Sequence, residues 1–346
     1  MSKRSDNTRS ALVAIMPAAC AAVAVEGSDL GCVHSGGLAG ILAPALPKQR
    51  LGRMLAQAAG TSKNNLKQSL IDAQTRLERL HRFGDTLPVQ PGEPQTPEAI
   101  KRSIAANEPI LAAAMQTIHG CEQFQVQIYW AESKVMSRFE DSPEISALRT
   151  SGSAVSPAQL LRAIGNLRHS LATEFVTKLA RAARDCIELP IDPKDGMIVN
   201  CACLVPRQGT RAFEAELEQI DQVWPEGLRI RMIGPAPASS FATLTLTEIP
   251  CRAVDAATST LGLEPAADRS AIRTARRGAL LAAHPDVTGQ STNIDGVMSA
   301  SALLEKVDAL TRRLEEAGLA PHGPWPVFEV LRDENRAASM GQSEAA

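Results

Sequence analysis

Phe124-Gln-Val-Gln-Ile-Tyr-Trp130 alternates apolar and polar side chains with a period of two, and Leu228-Arg-Ile-Arg-Met-Ile233 does the same. Successive side chains of a strand point to opposite faces. A period of two therefore predicts half-buried antiparallel strands with one face on a core. Elsewhere the period changes. Leu66, Leu70, Ala73, Leu77 and Leu80 recur at fours and threes, as do Ala300, Leu303, Val307, Leu310 and Leu314, and each set is one face of an amphipathic helix. Both patterns in one chain predict an α+β protein.

Short strands are expected at Ala11–Met16, Ala21–Val25, Gly31–His34 and Leu38–Leu42, the last two joined by a turn at Gly36-Gly37. Pro97 opens a helix, and Asn107 with Pro109 starts a second one. Pro143, Ser151, Gly152, Ser153 and Pro157 mark a linker, followed by one long helix to about Ile187. Met197–Val205, the helix Arg211–Val223, then Leu228–Ile233 and Ala242–Leu246 read strand, helix, strand, strand, part of a split βαβ arrangement. The expected fold is two small mixed α/β, ferredoxin-like sheet domains plus a C-terminal helical hairpin module. The expected boundaries are 10–140, 155–250 and 251–318, with a tail over 319–346.

With 346 residues the chain has room for about two domains of ~150 residues. Aromatic residues make up only 3%, so the core must be built from Leu, Ile, Val and Ala, and stacking platforms for single-stranded nucleic acid are lacking. The net charge of −2 supplies no basic field for phosphate backbones or anionic lipid. Nucleic acid is therefore not an expected partner. The seven Cys are scattered and form no Cys-x-x-Cys pair, which fits reduced thiols in a cytoplasmic protein. Lys3 and Arg4 precede an apolar run from Ala11 to Val25, but Pro17 interrupts it, and no stretch reaches the ~20 apolar residues of a membrane span.

No constellation of catalytic residues stands out. There is no Gly-x-Ser-x-Gly elbow, and the six His are dispersed. Cys201 and Cys203 share a strand face and could bind zinc with Cys251 or a His. A structural zinc site wants four ligands in close pairs, so buried thiols are the favoured reading. Arg79, His81 and Arg82 near a helix end complement its dipole. No catalytic, cofactor or metal site is expected. His284-Pro285-Asp286, between a basic helix and a helical seam, is open to two readings: a tight turn between helices, or a functional motif.

One stretch is more specific. A strand ending Leu204-Val205-Pro206-Arg207, a helix with Phe213, and Gly227-Leu-Arg-Ile-Arg-Met-Ile-Gly-Pro-Ala-Pro-Ala-Ser-Ser-Phe241 together resemble the gas vesicle protein F/L family. Arg82-Phe83-Gly84-Asp-Thr-Leu-Pro88 resembles a second stretch of that family, and the resemblance runs over residues 10–250. Ala236 and Ser239 stand where the family carries aromatics. The resemblance implies a minor gas vesicle protein without enzymatic activity. Such a protein binds the small hydrophobic shell protein, works with other gas vesicle proteins in nucleation and assembly, and sits on the gas-facing surface. It also implies partner-binding roles for Arg82, Phe83, Gly84, Gly234, Pro235 and Phe241.

Leu261-Gly-Leu263, Ile272-Arg-x-Ala-Arg276 and His284-Pro-Asp286 resemble a J-domain, the module that stimulates Hsp70 chaperones. That resemblance implies Hsp70 contact through Arg273, Arg276, Arg277, His284, Pro285 and Asp286. The alternatives to a gas vesicle assembly factor are a J-type co-chaperone and an unrecognised enzyme.

Overall fold

The computed structural model describes residues 9–44, 63–150, 156–191, 196–264, 267–282 and 294–334. The elements in chain order begin with β1 (Ser10–Pro17), α1 (Ala18–Val25), β2 (Gly31–Ser35), β3 (Leu38–Pro44) and α2 (Lys63–His81). Next come β4 (Leu87–Pro88), α3 (Pro97–Ala106), α4 (Glu108–Ile118), β5 (Cys121–Trp130), α5 (Val135–Arg138), α6 (Pro143–Thr150) and α7 (Pro157–Ala182). They are followed by β6 (Asp185–Glu188), β7 (Met197–Pro206), α8 (Thr210–Asp221), β8 (Leu228–Ala236) and β9 (Thr243–Ile249). The chain ends with α9 (Cys251–Thr260), α10 (Arg269–Ala282), α11 (Ile294–Glu316) and β10 (Trp325–Leu331).

These elements fold into two compact units, each drawn from separate stretches of chain. The first comprises 1–84, 88–114 and 244–330, and the second 85–87, 115–243 and 331–346. The linear division at 140, 155 and 250 is a division by sequence; in space residues 244–330 group with the first sheet.

The first sheet has the order β2-β3-β1-β4 and the second β6-β7-β5-β8. In the second unit the chain runs β5, helix, β6, β7, helix, β8, with β5 antiparallel to β7 and β8, and β6 antiparallel to β7. That is the ferredoxin-like βαββαβ topology. The first sheet repeats the same strand order.

In the first unit, β1 pairs with β3 through a bulge between Leu12 and Ala14, and Ala14, Met16, Ile41 and Leu80 bury together. Asn107, fully buried, was expected to cap α4. Its side chain instead donates to Ser103 O and Pro326 O, both at 2.9 Å, and accepts from Phe328 N at 3.1 Å. These bonds hold β10 in place beside β9. The region expected to be tail from 319 thus contains a strand. The helices α9, α10 and α11 pack through Ala257, Leu261, Ile272, Val297, Ala300 and Leu304; of the expected seam Ala300, Val307, Leu310 and Leu314 are buried, whereas Leu304 takes the core position expected for Leu303.

The second unit buries the apolar half of β5. Phe124, Val126, Ile128 and Trp130 meet Leu167, Leu171, Phe175 and Leu179 of α7 and Phe213, Leu217 and Ile220 of α8. A capping box fixes the start of α7: Ser156 Oγ accepts from Gln159 N at 3.3 Å, and Gln159 Oε1 accepts from Ser156 N at 2.8 Å.

Several expectations are corrected. Ala18–Val25 is a helix, not a strand. Ala favours helix, and periodicity alone cannot type a short apolar run. The long helix stops at Ala182, and Asp185–Glu188 is an edge strand on β7. Residues 143–150 of the expected linker are helical. Thr243–Ile249 pairs with β10 and not in the second sheet.

Phe213 is fully buried and stacks on Phe124 with ring centroids 6.0 Å apart. Phe213→Ala is expected to cost about 3–5 kcal/mol of stability, as core aromatic truncations do. Urea unfolding followed by the fluorescence of Trp130 and Trp224, both in this core, measures it.

Candidate functional site

The two stretches that carry the family resemblance reach the second unit by different routes. Asp85 directly follows Arg82-Phe83-Gly84 and is buried. Its Oδ2 lies 2.8 Å from His119 Nδ1 and accepts from Gly120 N at 3.2 Å. Its Oδ1 faces Arg207 Nη2 at 3.3 Å. Arg207 ends the Leu204-Val205-Pro206-Arg207 stretch, and its Nε also reaches Glu122 Oε1 at 3.3 Å. Arg184 Nη1 donates to His119 O at 3.0 Å, at the end of α4. Asp85, the fourth residue of one stretch, is thus paired with Arg207, the last residue of the other.

The Gly-Pro stretch is the end of an edge strand. β8 pairs with β5 from Leu228 opposite Trp130 to Ile233 opposite Gln125, then slips before Ala236 opposite Gln123. Gly234 and Pro235 form this bulge. Gly234 has φ +142°, and a Cβ there would lie 2.7 Å from Gln123 O and 2.9 Å from Phe124 Cδ1. Only glycine fits. Pro235 has no N–H, which an edge position tolerates.

Beyond the bulge the chain is pinned. Gln123 Nε2 donates to Ser240 Oγ at 3.1 Å, and Ser240 N donates to Gln123 Oε1 at 2.9 Å. Asp333 N donates to Ser240 O at 2.9 Å. Arg332 stands 5.5 Å from the Phe241 ring centroid and bonds both oxygens of Asp185 at 2.6 and 3.0 Å. The hydrogen bond from Arg332 holds the Asp185 carboxyl below the usual carboxylate range.

The expected partner-binding residues therefore divide. Phe241 is 2% exposed and anchors the loop. Gly234 and Pro235 are exposed, next to Met232 at 37% and Ile233 at 40%. Arg82 and Phe83 are exposed at the end of α2 in the first unit, where a Cβ on Gly84 would come within 3.0 Å of Cys20 Sγ. Sequence reasoning pointed to the strand before Gly234, which holds Met232 and Ile233, as a docking element, but did not find Asp85 or Arg207 as members of a site, because their pairing is long-range. Of the expected Hsp70-contact residues, Arg273 and Arg277 are exposed on α10 and Arg276 is half-buried. His284, Pro285 and Asp286 lie outside the described residues. Cys251 belongs to the first unit, apart from Cys201 and Cys203. Among the described residues no group of three His, Cys, Asp or Glu is arranged as metal ligands, and no helix is long and apolar enough to cross a membrane.

Comparison with known proteins decides the family. The sequence model of the family "Gas vesicle synthesis protein GvpL/GvpF" matches residues 4–243. The chain belongs to the GvpL/GvpF family. Its fold resembles the crystal structure of the gas vesicle protein GvpF from Anabaena sp. PCC7120, with a TM-score of 0.52 and 20% identity over 68% of this chain and 98% of that one. GvpF from Microcystis aeruginosa matches at TM-score 0.47 and 19% identity over the same shares. No curated protein matches in sequence. Membership in GvpL/GvpF makes this a gas vesicle protein of a family described by synthesis of the vesicle. The family match stops at residue 243, so α9, α10 and α11 lie beyond it.

The Asp85–Arg207 pair yields a test. Asp85→Asn is expected to lower stability by about 1–3 kcal/mol, because a neutral amide replaces the buried carboxylate that accepts from Gly120 N and pairs with Arg207. A double-mutant cycle with Arg207→Met, read by urea midpoints, is expected to give a coupling of about 0.5–3 kcal/mol.

Proposed function

We propose that this GvpL/GvpF protein binds the small hydrophobic shell protein and supports nucleation and assembly of the vesicle from its gas-facing side. The observation that carries the reading is the open outer edge of β8. Among the described residues of the second sheet β8 has a strand neighbour on one side only, and it presents Met232 and Ile233 to solvent just before a bulge. An unpaired edge offers N–H and C=O groups to an incoming strand, and exposed apolar side chains select an apolar client. Arg229 and Arg231 flank the patch and keep it soluble. The fixed loop from Ala236 to Phe241 supports the strand's end, so little ordering is needed on binding.

Co-expression with the shell protein and affinity capture of this chain tests the reading. The shell protein is expected to co-purify, and Ile233→Lys is expected to weaken capture about tenfold, near 1.4 kcal/mol. Absence of binding, together with normal vesicles in a deletion strain, would sink the proposal.

A second role rests on the helices beyond the family match. The exposed Arg273 and Arg277 on α10, packed on α11, form a basic helical surface of the kind a J-type module presents to Hsp70. His284→Gln is expected to abolish stimulation of Hsp70 ATPase by the full chain. An unchanged rate would leave His284-Pro285-Asp286 as a turn.

A further inference from the structure

Three thiols meet where β6 lies on β7. Cys186 sits opposite Cys203 in the register, and Glu188 opposite Cys201. Leu189 N donates to Asn200 O at 2.7 Å, so 189 and 200 are a hydrogen-bonded pair. Counting in alternation, 186 and 203 are a non-hydrogen-bonded pair, the kind whose Cα atoms stand about 4.5 Å apart and whose side chains lie closest. That separation falls within the range a disulfide spans. The two sulfurs are 3.6 Å apart. Cys201 and Cys203 are fully buried against the helices of the second unit, whereas Cys186 is only half-buried. One thiol of the group can thus be reached from outside, and its partner waits behind it.

We propose that Cys186 and Cys203 form a redox-active pair that hydrogen peroxide closes to a disulfide and a small-molecule thiol reopens. The Cys186 sulfur attacks one peroxide oxygen. The O–O bond breaks, water leaves, and Cys186 becomes a sulfenic acid. The Cys203 sulfur then attacks the Cys186 sulfur, the S–O bond breaks, and a second water leaves with the Cys203 proton. Two thiols and one peroxide become one disulfide and two waters. The thiolate is the attacking form. Hydrogen bonds from Cys201 and Cys203 hold the Cys186 thiol below the ordinary thiol range, while the bond to Cys186 and then burial push theirs upward. Closure requires the sulfurs to approach by about 1.5 Å, to the ~2.05 Å of a disulfide. The product ties the edge strand β6 covalently to β7.

The test uses the full chain, reduced and freed of reductant, then treated with hydrogen peroxide and denatured in iodoacetamide. Peptide mass spectrometry with fragmentation is expected to show Cys186 joined to Cys203, a mass loss of two hydrogens, and full recovery of both thiols with dithiothreitol. Cys186→Ser, at the half-buried position, is expected to leave Cys203 alkylatable after peroxide. Cys203→Ser, with its fold checked by circular dichroism, is expected to leave Cys186 as a sulfenic acid trapped by dimedone. The proposal is overturned if Cys186 stays alkylatable at peroxide levels that oxidise the exposed Cys251. It is equally overturned if Cys186 is joined to Cys201 instead.

Discussion

β5 carries two ladders, and its two faces set what the rest of the second unit can do. One face gives Phe124, Val126, Ile128 and Trp130 to the core. The other gives Gln123, which brackets Ser240, and Gln125, whose Nε2 donates to Asn200 Oδ1 at 2.9 Å. A slip of one residue would exchange these sets and drive glutamines into the core, so the alternation fixes register on both sides. Once β5 is in register, Gln123 decides where the chain beyond β8 must lie.

The scarcity of aromatics concentrates their work. Phe175, Phe213, Phe241 and Phe328 are among the largest fully buried side chains. Each such ring buries about 150–250 Å². Between them the interior is filled with Ala, Val, Leu and Cys. In that setting a buried thiol behaves as a small apolar side chain. Cys201 and Cys203 are thus packing residues first, and any reactivity comes from Cys186 at the edge.

The ferredoxin-like class was legible because the long strands announce themselves. β5 and β8 alternate, and the helical faces recur at threes and fours. Short elements were not legible. Ala21–Val25 has no period, β6 continues the apolar face of α7, and β10 is hidden among Pro321, Pro324 and Pro326. Their identities are set by partners distant in sequence: β6 by Cys203 and Ala202, β10 by Asn107. The same limit applies to the sites. Cys201 and Cys203 were seen to share a face, but the third thiol was invisible because its strand was read as helix. Gly234 and Pro235 were recognised by resemblance, while the reason for glycine, the approach of Gln123 O, exists only in the fold.

Edge strands are usually guarded against pairing, and the guards on β8 are uneven. Arg229 lies 4.1 Å from the Tyr129 ring centroid, so one charge is folded back over the sheet. The bulge and Pro235 close the far end, since neither continues a regular ladder. What stays open is Arg229 to Ile233, about 16 Å of strand at ~3.3 Å per residue. A strand added at this edge could form only a short ladder with β8, because the bulge and Pro235 break the register at its far end.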